Sequence, residues 1–438
     1  DLKDVLSTGI VAGTSATTFS PNSYVTERQI ELFIQRTYAL EGANLKDDFY
    51  ATVNKTALDS SVIKTGYTGT GGFTDLAITV NDQVAQIIKE AAASPKTAGE
   101  KKISALYGNI LNMEARNKAG IKPIQPYLDA IGSAKTLNEL MDVCNRVYQE
   151  LGSSMLLGFD LTVDSKNSDV YDLTFGAFSP SLGQSGYTGA TDSQKSAYLT
   201  YVAMLLQLGG ASAADAKKQA QQIWELESSV AAKSLTNQEL YDVDKTYNLY
   251  TMTQLQNLFP NVDLNAVFAQ TGYTQTDKIV VADVGELKAC AAYFNAAHLE
   301  LLKTYCRLDL TANYGALLSQ DFIDASNAFQ QDYMGSSGSL SNEEVAAQYV
   351  QSLMSDYLSK AYVDRHFTAK AKADVEKMVK EMLAVYKERI QNLTWMQDAT
   401  KTKAIRKLET MKLNIGYPDT WRDDFKDTEF LTVAQGGS

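Results

Sequence analysis

The sequence predicts a mostly α-helical protein: a large multi-helix lobe with one β-hairpin at about residues 159–175, preceded by a short helical segment. Three observations predict it. Apolar residues recur every three or four positions through long stretches, most plainly Val375, Met378, Val379, Met382, Tyr386, Ile390 and Leu393. That spacing gathers them on one side of a helix of 3.6 residues per turn. The pairs Thr136/Glu139, Thr236/Glu239 and Ser341/Glu344 each set a hydroxyl three residues before a Glu, the reciprocal arrangement that closes a helix N-terminus. Clear period-two alternation occurs in one region, Phe159–Val163 and Tyr171–Phe175.

Residues 1–41 read as helix, turn, helix. Gly9 and Gly13 break a short first helix, Phe19-Ser20-Pro21-Asn22 makes a turn, and the next helix carries Ile30, Phe33, Ile34 and Tyr38 on one face. Residues 64–73, rich in Gly and Thr, form a loop. Helices follow over Leu76–Ala92, over Lys101–Arg116 and from the Thr136 cap to Leu151. The hairpin strands are joined by Asp164–Asp169, and helical patterns dominate from Ser193 to Ser359, with Ile279–Val281 a short strand. After the helix ending near Leu393, Asp398 and Thr400 are placed to cap a second one, whose apolar face is Ala404, Ile405, Leu408 and Met411. Gly416 and Pro418 stop it.

Composition narrows the function. Across 438 residues the formal net charge is −12, which argues against nucleic acid or an anionic membrane surface as the main partner, since both need a basic footprint. No run of about 18 apolar residues is present, so no spanning helix is expected. The first residue is Asp1, so either a leader has been removed or the chain is a fragment. Cys144, Cys290 and Cys306 form no C-x-x-C pair. Buried thiols are expected, although Cys290 and Cys306 could pair.

Two stretches resemble known families. Asn392–Trp421, with Leu393-Thr394-Trp395-Met396-Gln397, Ala404, Lys407-Leu408 and Ile415-Gly416-Tyr417-Pro418, resembles the neprilysin-type zinc metallopeptidases. Asp47–Lys55, Lys102–Tyr107, Pro123–Leu128, the hairpin and Pro180-Ser181-Leu182-Gly183 follow in that family's order. Lys55 and Ala57 depart from it, standing where the family has Gly and Trp. The resemblance covers residues 47 to about 433. It implies that residues 42–438 are the amino-terminal, non-catalytic half of such an enzyme, which with a thermolysin-like catalytic half encloses a chamber admitting oligopeptides. Residues 1–41, through Gly9-Ile10-Val11-Ala12-Gly13, Phe19-Ser20-Pro21, Val25-Thr26 and Arg36, resemble one partial S-layer homology repeat, with Glu27 where the family usually has Arg. That resemblance implies a grip on cell-wall polymer and an exported, wall-associated bacterial protein.

The chemistry of a zincin site is missing from these residues. Such a site needs two imidazoles four residues apart on a helix with a Glu beside the first. The only histidines are His298 and His366, and neither begins H-E-x-x-H. Both are read as ordinary helix residues, His366 at a helix start. Asn327-Ala328-Phe329 lies on a helical pattern, not on a substrate-binding strand. Asp47-Asp48 and Asp423-Asp424 lack metal-loop spacing and read as solvated surface. Lys370, Lys372, Lys377 and Lys380 read as a solvated helix face. The family's substrate-gripping arginine has no counterpart, because Leu76–Lys89 contains no Arg.

No catalytic, cofactor-binding or metal-ligating residue is therefore assigned, and zinc is expected in the catalytic half. The leading expectation is the amino-terminal, substrate-gating half of an exported zinc endopeptidase, inert alone, whose partners are the missing catalytic domain and oligopeptides. A stand-alone peptide-binding scaffold and a wall-anchoring module are the alternatives. Half of such an enclosure should also expose apolar surface and so aggregate, dimerise or hold a second chain.

Overall fold

The computed structural model describes residues 45–274, 276–336 and 338–437, so the S-layer-like stretch 1–41 lies outside the described residues. The chain divides between Lys64 and Thr65 into two compact units. In the first, α1 (Phe49–Ser60) is capped by Asp48, whose Oδ1 accepts from the Ala51 N–H at 2.8 Å. One half of the Asp47-Asp48 pair is thus a helix cap.

The second unit opens with α2 (Gly72–Ala93) and α3 (Ala98–Leu111). Thr97 and Glu100 close α3 with a full reciprocal cap. The single helix expected over Lys101–Arg116 is two. Asn112 turns its side chain onto the Ala115 N–H at 3.3 Å and starts α4 (Met113–Ala119), because a short amide can compete with the helix backbone for its own hydrogen bonds. α5 (Gln125–Ser133) begins on Pro126, and α6 (Leu137–Leu151) is capped by Thr136 and ends on left-handed Gly152. The Glu139 carboxylate of that cap accepts from the Lys135 N–H at 2.7 Å.

The hairpin forms with longer strands and a tighter turn than expected: β1 (Leu157–Asp164) and β2 (Asn167–Ala177), with Phe159 opposite Phe175 and Leu161 opposite Leu173. It is also not isolated. β3 (Asn248–Tyr250) and β4 (Ile279–Val281) extend it to a sheet of order β1-β2-β4-β3, with β4 parallel to β2. Three-residue β3, Asn-Leu-Tyr, lacks the β-branched run that marks the equally short β4, and so carries no strand signal in the sequence. The expected Thr236/Glu239 cap does form, at 3.0 and 3.3 Å, but closes only a 3-10 turn, Glu239–Tyr241.

Around the sheet pack α7 (Asp192–Leu208), α8 (Ala213–Ala231), α9 (Val284–Ala291), α10 (Leu299–Tyr314) and α11 (Gln320–Met334). Their core holds Phe159, Phe175, Phe259, Phe294, Ile223 and Leu205. A second core, with Ile88, Ile103, Ile110 and Val350, joins α2 and α3 to α12 (Asn342–Leu353) and α13 (Ser355–His366). α14 (Ala369–Asn392) and α15 (Asp398–Glu409) follow, and neither holds a buried residue. Gln397, not Asp398 or Thr400, takes the cap position of α15; Asp398 is its first residue, where a negative charge still favours the helix dipole. No described helix is long and apolar enough to cross a membrane.

Three buried polar groups tie these elements together. Arg116, 5 % exposed, donates Nε to the carbonyls of Leu317 (3.1 Å) and Leu318 (2.9 Å), Nη1 to that of Ile110 (2.5 Å) and Nη2 to that of Ala316 (2.5 Å). Glu227, fully buried on α8, accepts from the Ser181 N–H (3.0 Å) and hydroxyl and from the hydroxyls of Tyr187 (2.7 Å) and Tyr198. Asp164 at the hairpin turn accepts from Lys278 (2.6 Å) and Tyr247 (3.0 Å). The Lys278 ammonium holds that carboxyl well below the usual carboxylate range.

Arg116→Met should cost about 3 kcal/mol or more, because several buried carbonyls lose their donor together. Glu227→Ala should cost a similar amount by stranding two tyrosine hydroxyls and opening a cavity. Urea unfolding checks both, and a loss under about 1 kcal/mol would show the carbonyls and hydroxyls finding other partners.

Asp309 on α10 gives a pH signature, since burial pushes its carboxyl up to about 6, against partial relief from Asn313 and Ser153. Below about pH 4 folded and unfolded chains both keep that proton, so nothing is lost. As pH rises from about 4 to 6 the unfolded chain releases it first and stability falls; above 6 the penalty is constant. Asp309→Asn should therefore nearly match the wild type near pH 4 and exceed it at pH 7, on the order of 3 kcal/mol. Thermal melts at the two pH values read this, and equal gains at both would assign the effect to packing.

Candidate functional site

The two histidines lie on separate elements. His298 closes a 3-10 turn, Ala296–His298, with its ring edge-on to Tyr293 at 5.0 Å. His366 is the last residue of α13, not the start of a helix, and lies 4.9 Å from the Tyr362 ring. Among the described residues no group of three or more His, Cys, Asp or Glu side chains is placed to hold a metal ion. Asp423 accepts from the Tyr357 hydroxyl and Asp424 pairs with Arg422 at 2.7 Å, so this pair is engaged and not merely solvated. Asn327-Ala328-Phe329 is helical within α11, with Phe329 stacked on Tyr201 at 4.6 Å.

One concave site of this unit lies over the second core. A groove of about 660 Å³ is lined by Val80, Asn81 and Val84 of α2, Gln348 and Gln351 of α12, Leu358 and Tyr362 of α13, and by Phe367 and Gly416. α2 reaches it because Ile87, Ile88 and Ala91 anchor its carboxy-terminal half in the core. Tyr362 locks the other wall by donating to Gln83 Oε1 at 3.1 Å. No lining side chain carries a charge. The amides of Asn81, Gln348 and Gln351 each offer donors and an acceptor, beside the apolar faces of Val80, Val84, Leu358 and Phe367. Such a lining suits an uncharged, partly apolar guest that carries its own amide groups.

The carboxy-terminal strings explain themselves at one end of this groove. Gly416 has φ +69°, and a Cβ there would lie 2.6 Å from the Phe367 ring, so only glycine lets this turn close on the aromatic. Tyr417 packs edge-on to Phe367 and stacks on Trp421. Lys372 lies over the Tyr417 ring at 4.3 Å and donates to the Tyr417 carbonyl at 2.8 Å. It is therefore a clamp on this turn, whereas the sequence reading left it on a solvated face. Lys370 and Lys377 lie on an exposed face, where they form i,i+4 pairs with Asp374 and Glu381.

Beyond the groove, α14 presents an uncovered apolar stripe of Met378, Met382, Val385 and Tyr386, each at least half exposed. Trp395 follows at 75 % exposed. At the start of α2, Phe73 is 92 % exposed. Sequence periodicity located the α14 stripe. It gave no sign of the groove, whose walls come from three distant segments.

Known proteins share this fold. The sequence profile of peptidase family M13, amino-terminal domain, matches residues 45–418. A Streptococcus gordonii homologue encoded in the scaA 5′ region is 25 % identical over 382 residues, covering 86 % of this chain and 68 % of that one. The neutral endopeptidase of Lactobacillus helveticus is 25 % identical over 384 residues, covering 86 % and 59 %. The crystal structure of Mycobacterium tuberculosis zinc metalloprotease Zmp1 in complex with an inhibitor superposes with a TM-score of 0.77 at 26 % identity, over 87 % of this chain and 59 % of that one. The chain thus spans little more than half to two thirds of these proteins' lengths. Residues 45–418 cover most of the chain, and the strings around Trp395 and Gly416 fall within them: the chain belongs to peptidase family M13, of the neprilysin type.

Proposed function

We propose that this chain is the substrate-gating wall of a zinc endopeptidase that acts on oligopeptides, with the zinc and its imidazole ligands carried by a catalytic half lying outside these 438 residues. The observation that carries the reading is the pairing of a charge-free, amide-lined groove with an uncovered apolar stripe. A groove rich in Asn and Gln can hydrogen-bond peptide groups of any sequence, while its apolar faces take uncharged side chains. The stripe on α14, with Trp395, is the kind of surface that folded proteins keep covered, and the catalytic half is its proposed cover. The greater length of the family relatives supports a further half. Export and attachment to the cell wall rest on the S-layer-like stretch 1–41.

In this role the described residues bind and enclose; they transfer no proton and polarise no carbonyl. Zinc, where the catalytic half holds it, supplies an activated water and charge stabilisation. The wall contributes exclusion of bulky chains and alignment of the peptide.

Purified residues 1–438 should hold far less than one zinc per chain after dialysis and should not cleave a mixed oligopeptide pool. Elemental analysis and mass spectrometry of the pool test this, and tight stoichiometric zinc with chelator-sensitive cleavage would overturn it. Supplying the catalytic half should restore cleavage.

The uncovered stripe yields a second expectation. Sedimentation velocity should show concentration-dependent self-association of the lone chain, and the double change Met382→Glu with Tyr386→Lys should raise the monomer fraction without lowering Tm. A wild-type chain that stays monomeric over a wide concentration range would remove the α14 face as a covered surface.

A further inference from the structure

The cysteines are not equivalent, and the difference points to chemistry. Cys290 on α9 is spoken for: its thiol donates to the Phe178 carbonyl at 3.2 Å. Cys144 on α6 and Cys306 on α10 instead face each other, sulfur to sulfur, at 3.8 Å. Both are buried, at 3 % and 0 % exposed, yet they differ in access. Cys144 lines a cavity of about 800 Å³ beside the hairpin, together with Tyr148, Met155 and Asp309, whereas Cys306 is not part of its lining.

We infer that Cys144 and Cys306 are a dithiol modification site, which a small peroxide reaches through this cavity and converts to a disulfide joining α6 to α10. The two sulfurs must approach from 3.8 Å to a bond length of about 2.0 Å. The steps balance. The Cys144 sulfur attacks one peroxide oxygen; the O–O bond breaks, the thiol proton leaves with the departing oxygen as water, and Cys144 becomes a sulfenic acid. The Cys306 sulfur then attacks the Cys144 sulfur, the S–O bond breaks, and the hydroxyl leaves with the Cys306 proton as a second water. Two thiols are oxidised by two electrons and one hydrogen peroxide is reduced to two waters.

Position assigns the order. Cys144 meets the oxidant because it borders the cavity, and Cys306 sits behind it as the resolving thiol. Burial and the neighbouring Cys144 thiol push the Cys306 pKa up, so Cys306 keeps its proton until the sulfenic acid forms beside it. The new bond would close a loop between residues 162 apart in sequence, which restricts the unfolded chain strongly. It would also fasten two helices that flank the sheet.

The test uses the full chain, reduced, freed of reductant and treated with hydrogen peroxide under native conditions. Thiols titrated in denaturant should fall from three to one. Peptide mapping should show the Cys144 and Cys306 peptides linked at about 2 Da below their summed mass, with Cys290 unmodified. Tm should rise by several degrees and return on adding a dithiol reductant. Cys306→Ser should instead leave Cys144 as a sulfenic acid that a dimedone probe traps. Three surviving thiols, a link that includes Cys290, or a chiefly intermolecular bond would each overturn the inference. If Cys306→Ser does not fold, the wild-type thiol count and linked-peptide mass still decide.

Discussion

A single buried guanidinium holds the two cores of this unit in register. Among the described residues Arg116 has no carboxylate partner; its charge is dispersed over the carbonyls of Ile110, Ala316, Leu317 and Leu318. Ile110 belongs to the core of α2, α3, α12 and α13, and Leu318 to the larger core around the sheet. Only arginine can serve here, because its planar fork offers five donors in fixed directions. The break at Asn112 makes this possible: a continuous helix from Ala98 to Ala119 would keep the Ile110 carbonyl in its own ladder. Burial lowers the Arg116 pKa, yet the group stays protonated, since a guanidinium's ordinary value lies so far above neutrality. Arg116 thus helps fix the groove between α2, α12 and α13 relative to the large core, beside the Asn117 amide oxygen, which accepts from the Gln320 N–H at 2.8 Å.

The larger core uses the same device with opposite sign. Among the described residues no cation pairs with Glu227, and four donors from Ser181, Tyr187 and Tyr198 surround its carboxylate. Burial raises its pKa while those donors pull it down. This places the Pro180-Ser181-Leu182-Gly183 string in physical terms: Ser181 supplies both a backbone and a side-chain donor, and Gly183 takes the positive φ that turns the chain away. Buried polar groups of this kind specify one arrangement of helices, because every alternative leaves a donor or a charge unpaired.

The fold class and the hairpin were legible because each rests on periodicity within a short window. Helix breaks were not. Asn112 interrupts an unbroken apolar pattern, and the competing amide that ends α3 has no signature distinct from a surface Asn. β3 escaped because Asn-Leu-Tyr lacks the β-branched run that reveals β4, and the Thr236/Glu239 cap misled because capping chemistry does not guarantee a helix beyond it. The candidate groove was illegible for a different reason. Asn81, Gln348 and Gly416 meet only after α2, α12 and the Ile415–Pro418 turn have packed, so no local window contains the site. The family strings were legible as letters, but their cause, such as the Phe367 ring against Gly416, appears only in three dimensions.

α14 shows why sequence pattern and burial carry different information. Its Met378, Met382, Val385 and Tyr386 repeat at helical spacing as clearly as the residues of any buried helix. Its far faces carry Lys–Asp and Lys–Glu pairs. Yet it contributes no buried residue to either core; Lys372 fastens it to the Tyr417 turn, and Lys387 and the Gln391 carbonyl fasten it to α15. An amphipathic helix of 24 residues in this state is expensive to leave in water. A stripe so regular is specified for a surface with matching relief. The groove beside it is neutral and the whole chain strongly acidic, so a cover held by the stripe would be recruited through apolar contact, with charge deciding only its orientation.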